Sequence, residues 1–226
     1  MNEIICVMTA MSEEFAPLLS KMEVTKKHHI SGIDFYDAVY NNRRVILATS
    51  GIGKVQATKT STILIEHFDA KQILFSGVAG GIVDSLKVGD VVVASRLAQF
   101  DMDLTAFGHP KGHIPGSGVY VKTDKSLRYL AEDLGCISGT IVSGDKFVND
   151  TKEKTQISKE FNAIALEMEG AAVGFVCQSY NIPCLVIRSI SDALHGSEED
   201  FGEFLAVASA NSAKMILGIV DGSKGV

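Results

Sequence analysis

Ile4-Ile5-Cys6-Val7-Met8-Thr9-Ala10-Met11-Ser12-Glu13-Glu14 is the stretch whose reading sets the fold. The run from Ile4 to Met8 is apolar at every position, as in a strand buried on both faces. Ser12 then offers a hydroxyl N-cap ahead of two acids, the start signal of a helix predicted over 13–21. A buried strand leading directly into a helix is the repeating step of an α/β protein.

The same alternation continues along the chain. Further strands are predicted at 35–40 and 44–49, around the Asn41-Asn42 turn, and at 72–76, 90–98, 139–143, 163–166 and 184–190. Further helices are predicted at 54–68, 125–134, 152–161, 170–180 and 203–220. The pattern implies an α/β fold: a mostly parallel or mixed central β-sheet flanked by helices. With no linker, repeat or composition step, residues 1–226 read as a single domain. The segment 101–122 carries Gly108, Pro110, Gly112, Pro115, Gly116 and Gly118. It is long and irregular for a compact domain, which marks it as a functional loop.

Composition narrows the function. Among 226 residues, 21 are Lys or Arg and 27 are Asp or Glu, for a formal net charge of −6. That balance is a poor match for nucleic acid. No apolar run approaches the ~18 residues of a membrane span. Glu3 stands where a secretion signal would be basic. These features predict a cytoplasmic protein with neither a nucleic-acid nor a membrane partner. The four cysteines, at 6, 136, 177 and 184, form no Cys-x-x-Cys pair and read as buried free thiols.

Ligands of open α/β sheets bind beyond the carboxyl ends of the strands. Those ends carry glycines and carboxylates here. Ser50-Gly51-Ile52-Gly53-Lys54-Val55 is not a P-loop, because the glycine spacing is wrong and Val55 replaces the Ser or Thr after Lys. Ser76-Gly77-Val78-Ala79-Gly80-Gly81 lacks Gly-x-Gly-x-x-Gly. Both read as tight strand-to-helix turns. Glu14 opens a helix. Glu167 and Glu169 lie two apart and would share a face if the chain stayed extended. Asp192 follows a strand. Each acid taken alone fits a helix-start residue. Acids converging on one sheet edge would instead supply the acid and base that glycoside cleavage needs. His109 and His113 are four apart, but Pro110 and Gly112 place them in a loop rather than on a metal-binding helix face.

Taken together, these segments resemble the bacterial 5′-methylthioadenosine/S-adenosylhomocysteine nucleosidases. The matching pieces are Ala10-Met11-Ser12-Glu13-Glu14, Ser50 to Val55, Ser76 to Gly81 and Asp103-Leu104-Thr105-Ala106-Phe107-Gly108. They continue with Ser143-Gly144-Asp145 and Phe147, Glu167-Met168-Glu169, Arg188-Ser189-Ile190-Ser191-Asp192, and Phe201 with Glu203-Phe204-Leu205. They fall in family order across nearly the whole chain. Thr9, Val78 and a shortened 193–200 segment depart from the usual pattern. The stretch from Phe107 to Pro115, with Val78 and Phe147-Val148, looks closest to the variant that also cleaves 6-amino-6-deoxyfutalosine.

The resemblance implies a nucleoside phosphorylase/hydrolase-like fold, a homodimer, and hydrolysis of the N-glycosidic bond of 5′-substituted adenosines with release of adenine. It implies no metal and no cofactor. Asp192 would be the general acid at purine N7, supported by Ser191. Glu14 would activate the attacking water, with Arg188 nearby. Glu169 would hold the ribose hydroxyls over Met168, with Gly80 and Glu167 also on the substrate side. Phe147 would stack on adenine, and the Val148 backbone would read its edge. Met11, Ile52 and Phe201 would line the 5′ pocket, while Phe107 and Pro115 would come from the partner subunit. Two alternatives stand beside this reading: a nucleoside phosphorylase of the same fold, and a non-catalytic nucleoside-binding protein.

Overall fold

Strand β5, Gln72–Gly81, is buried along its whole length, and the remaining strands are arranged around it. The structure is a computed structural model that describes residues 4–196 and 198–222. Glu3 and Ser197 therefore lie outside the described residues. In chain order the elements before β5 are β1 (Ile5–Thr9), α1 (Ser12–Leu19), β2 (Glu23–Ile30), β3 (Ile33–Tyr40), β4 (Arg43–Thr49) and α2 (Lys54–Phe68). After it come β6 (Val91–Gln99), β7 (Val121–Lys122), α3 (Lys125–Asp133), β8 (Ile137–Ser143), α4 (Thr151–Phe161), β9 (Ala163–Glu167), α5 (Gly170–Tyr180), β10 (Cys184–Asp192) and α6 (Glu198–Gly222).

The sheet runs β10-β6-β8-β9-β5-β1-β4-β3-β2, and β10 also pairs with β5. Strands β5, β9, β8, β6 and β10 thus close on themselves, while β1, β4, β3 and β2 extend outward as an open wing. β5 joins the two parts. Its first half pairs in parallel with β1, and its far end at Gly80 and Gly81 pairs antiparallel with β9. Both parallel and antiparallel pairs occur, as the mixed-sheet reading requires.

Alternation of side chains along β1 builds two cores. Cys6 and Met8 pack with Ile46, Phe75 and Val186 against α2 and α5. Ile5 and Val7 face the other way, with Leu47, Leu74 and Ile187, against α1, α3 and α6. Helix α3 is capped by the Asp124 carboxylate on the Leu127 N–H, and α4 by Asp150 on the Glu153 N–H. All four cysteines are buried and free.

Several elements differ from the sequence reading. β2 was not predicted, because Glu23-Val24-Thr25-Lys26-Lys27-His28-His29-Ile30 is polar and largely exposed. It is an edge strand held by β3, and its lysines suit an edge. Residues 76–81 continue β5 instead of turning into a helix. Helix α6 has 25 residues, more than the predicted 18, and is long and apolar enough to cross a membrane by length and composition. Its apolar face is packed on β5, β10 and α1 through residues such as Ala213, Ile216 and Ile219.

Candidate active site

A cavity of about 330 Å³ opens where β1, β5, β9 and β10 end. Glu14, Glu167, Glu169, Ser191 and Asp192 line it together with Ala10, Met11, Ile52, Val78, Ala79, Gly80, Lys146, Phe147, Val148, Leu166, Met168 and Phe201. Acids separated by as many as 178 positions in the sequence therefore face one space.

Glu14 sits in the first turn of α1 with its carboxylate turned back toward β1. Its Oε2 accepts the Ala10 and Met11 N–H groups at 2.8 and 3.0 Å, and its Oε1 accepts the Val78 N–H at 3.0 Å. The residue is 3% exposed, and burial holds its pKa above 4.5 against the opposing pull of Arg188 and these three N–H groups. A fixed, dehydrated carboxylate with a raised pKa is a stronger base than one in water. Met11, and not Ser12, occupies the N-cap position of α1. The acid at the third helical residue does the capping, as in half of a capping box.

Two β5 glycines make room for the acids. A Cβ on Gly77 would lie 2.7 Å from Glu14 Oε1 and 3.0 Å from Arg188 Nη1. One on Gly80 would lie 3.0 Å from Asp192 Oδ2. Neither glycine has positive φ, so both serve close approach and not a turn.

Asp192 ends β10 and is 4% exposed. Its Oδ1 accepts the Ser191 hydroxyl at 3.0 Å. Its Oδ2 accepts from Lys154 Nζ at 2.7 Å.

Glu167 and Glu169 do not share a face through an extended chain. The backbone bends at Glu169, with φ −140° and ψ −37°, to start α5. Glu167 accepts from the Glu169 and Gly170 N–H groups, the Ser143 hydroxyl, and Arg188 Nη2 at 2.6 Å. Its acceptor sites are thus engaged within the protein. Glu169 accepts the Gly53 N–H at 2.7 Å. Burial, reinforced by the negative charge of Glu167, pushes the Glu169 carboxyl up to about 8.

Arg188 is buried behind these acids and is not among the cavity-lining residues. Its guanidinium is taken up by Glu167, with Glu169 Oε2 at 3.9 Å. Apolar side chains complete much of the lining. Phe147 and Phe201 meet edge to face at 5.6 Å and 75°. Phe107 is 79% exposed, and neither it nor Pro115 lines the cavity of this chain. The His109 and His113 rings stack at 4.4 Å. No cluster of three or more metal-binding side chains occurs among the described residues.

A family model described as the phosphorylase superfamily matches residues 4–221. The chain belongs to this superfamily, within its nucleosidase family. It is similar to the aminodeoxyfutalosine nucleosidase of Campylobacter jejuni, with 42% identity over 94% of this chain and 96% of that protein. Among solved structures it resembles Helicobacter pylori 5′-methylthioadenosine/S-adenosylhomocysteine nucleosidase in complex with an aminopyrrolopyrimidine-hydroxypyrrolidine ligand. The TM-score there is 0.94, with 41% identity over 98% of this chain and 99% of that one. A mutant of the same enzyme with 5′-methylthioadenosine in its active site gives TM-score 0.95, 41% identity and coverage of 99% and 100%.

In this superfamily member, the sequence reading missed two lysines near the acids. Lys146 lines the cavity and pairs with Glu153 of α4 at 2.7 Å. Lys154 is fully buried against Asp192. Lys154, Ile157 and Phe161 are the buried residues of α4. That i, i+3, i+7 spacing was the available signal: a lysine on the apolar stripe of an otherwise polar helix.

Proposed function

We infer that this nucleosidase-family chain cleaves the N-glycosidic bond of 5′-substituted adenosines, including 6-amino-6-deoxyfutalosine, with water as the acceptor and adenine as a product. The observation that carries the reading is the meeting of Glu14, Glu169 and Asp192 at one cavity. Asp192 protonates purine N7, so the base departs neutral, and Ser191 orients the carboxyl. Glu14 takes a proton from the attacking water. Glu169 binds the ribose hydroxyls, and Met168 packs under the sugar. Phe147 stacks on the base beside the Val148 backbone. The apolar side chains of Met11, Ile52 and Phe201 receive the 5′ substituent, which suits an alkylthio group.

The cations around the cavity favour hydrolysis over phosphorolysis. Arg188, Lys154 and Lys146 are each bound to a carboxylate, Glu167, Asp192 and Glu153 in turn. A phosphate nucleophile needs unengaged donors. We further propose that the protein acts as a cytoplasmic homodimer of single-domain subunits, in which Phe107 and Pro115 close the partner's 5′ pocket.

Asp192→Asn is the direct test. Adenine release should fall by about 10²–10⁴-fold, the range for loss of a general acid, while nucleoside binding persists. Wild-type turnover in that variant removes Asp192 from the reaction. A panel of 5′-methylthioadenosine, S-adenosylhomocysteine, 5′-deoxyadenosine and aminodeoxyfutalosine, each assayed for free adenine with and without phosphate, ranks the substrates and separates hydrolysis from phosphorolysis.

A further inference from the structure

Lys154 has no exposed surface, and its ammonium is held by Asp192 Oδ2 at 2.7 Å and the Ala193 carbonyl at 3.1 Å. It projects from the first turns of α4, on the face that also buries Ile157 and Phe161. Stability alone does not account for it. A buried ion pair rarely outperforms apolar residues of similar volume, because both charges lose their water. The pair also opposes the role assigned to Asp192. A cation held against a carboxylate favours its charged form, whereas that role needs a proton there.

Lysine differs from arginine here, since a buried ammonium can give up a proton and a guanidinium does not. We propose that Lys154 is a positioning residue that stores the proton Asp192 delivers to the leaving purine. The proposal rests on the nucleosidase reading above. Lys154 and Asp192 hold one mobile proton between them. As the base departs, the Lys154 N–H bond breaks with its electron pair left on nitrogen, and a carboxyl O–H forms on Asp192. Asp192 passes that proton to purine N7, whose lone pair makes the new N–H bond while the C1′–N9 pair withdraws onto the base. The products are a neutral purine, an Asp192 carboxylate and a Lys154 amine. After adenine leaves, Glu14 releases to solvent the proton it took from the attacking water, and one proton from solvent, entering through Asp192, which lines the cavity, reloads the pair.

The other ionisable groups at the cavity are Glu14 from α1, Lys146 before α4, Glu167 at the end of β9 and Glu169 at the start of α5. Lys146 is occupied by Glu153, Glu167 by Arg188, Glu14 by three backbone N–H groups, and Glu169 by the Gly53 N–H. Among the described residues, Lys154 is the cation paired with Asp192.

Two variants test this with 5′-methylthioadenosine as substrate. In Lys154→Met, Asp192 must hold its proton unaided, so the alkaline limb of kcat/KM should move about one pH unit or more toward acid. In Lys154→Arg the charge remains but the proton is fixed. There kcat should fall about 100-fold or more at every pH, with adenine affinity by calorimetry retained. An unmoved limb in Lys154→Met, or full turnover in Lys154→Arg, overturns the proposal. If Lys154→Met does not fold, Lys154→Arg decides. Asp192→Asn assayed alongside separates the two levels. Activity in Asp192→Asn defeats the nucleosidase mechanism, whereas an inactive Asp192→Asn with wild-type-like Lys154 variants defeats only the proton store.

Discussion

Glu14 and Arg188 approach one another over the bare Cα of Gly77, where an added methyl would sit 2.7 Å from the carboxylate and 3.0 Å from the guanidinium. The cavity carboxylate and its buried countercharge are therefore spaced by the absence of one side chain. Gly77→Ala should displace Glu14 while leaving β5 paired. The expected result is a fall of about 10²-fold in kcat/KM, the scale of a misplacement near 1 Å, with a cooperative thermal transition retained. Unchanged kinetics would mean the carboxylate can move without cost.

Glu14 has to be ionised to accept a proton, and burial raises its pKa above 4.5. If Glu14 is the base, activity should therefore be lost as pH falls through that raised value. The acid limb of the kcat/KM profile should bend at a pH above 4.5. Glu14→Gln should lower activity about 10²–10⁴-fold and abolish the limb. A limb that survives in Glu14→Gln belongs to another group.

Glu169 titrates at about 8 in the folded chain against 4.5 in the reference state. Between those values the native state binds the extra proton, so the contribution of Glu169 to stability is lost as pH rises through the window. Glu169→Gln cannot ionise. Differential scanning fluorimetry from about pH 5 to about pH 8.5 should show a steeper loss of melting temperature in the wild type than in the variant. Parallel curves would contradict the shift.

Phe107 leaves 79% of its surface exposed on this chain. If a second subunit covers it, Phe107→Ala should loosen the dimer in sedimentation velocity and raise KM for 5′-methylthioadenosine several-fold, with a smaller effect on kcat. A variant of unchanged mass and unchanged KM would place Phe107 outside any shared site.

The strands that build the cores were legible because burial writes itself into composition. Ile5-Cys6-Val7-Met8 and Leu185-Val186-Ile187 have no polar residue to place in water, and both lie inside the sheet. The acids at the ends of those strands were legible for a related reason, since a strand's carboxyl end fixes where the next residues must emerge. β2 was not, because Lys26, Lys27 and His28 carry no burial signal and become strand only by pairing with β3.

The sequence by itself determined the layered α/β plan and the set of acids, because hydrophobic periodicity and element order are local properties of the chain. Tertiary structure alone decided what each charged group meets. Only the sheet's closure brings β10 beside α4, so that Lys154, in a helix rich in charges that look solvated, ends with no exposed surface against Asp192. Only the crossing of β5 beneath α1 turned Gly77 from an apparent turn residue into the gap that admits Glu14. Electrostatic partnership depends on distance in space, and separation along the chain does not encode it.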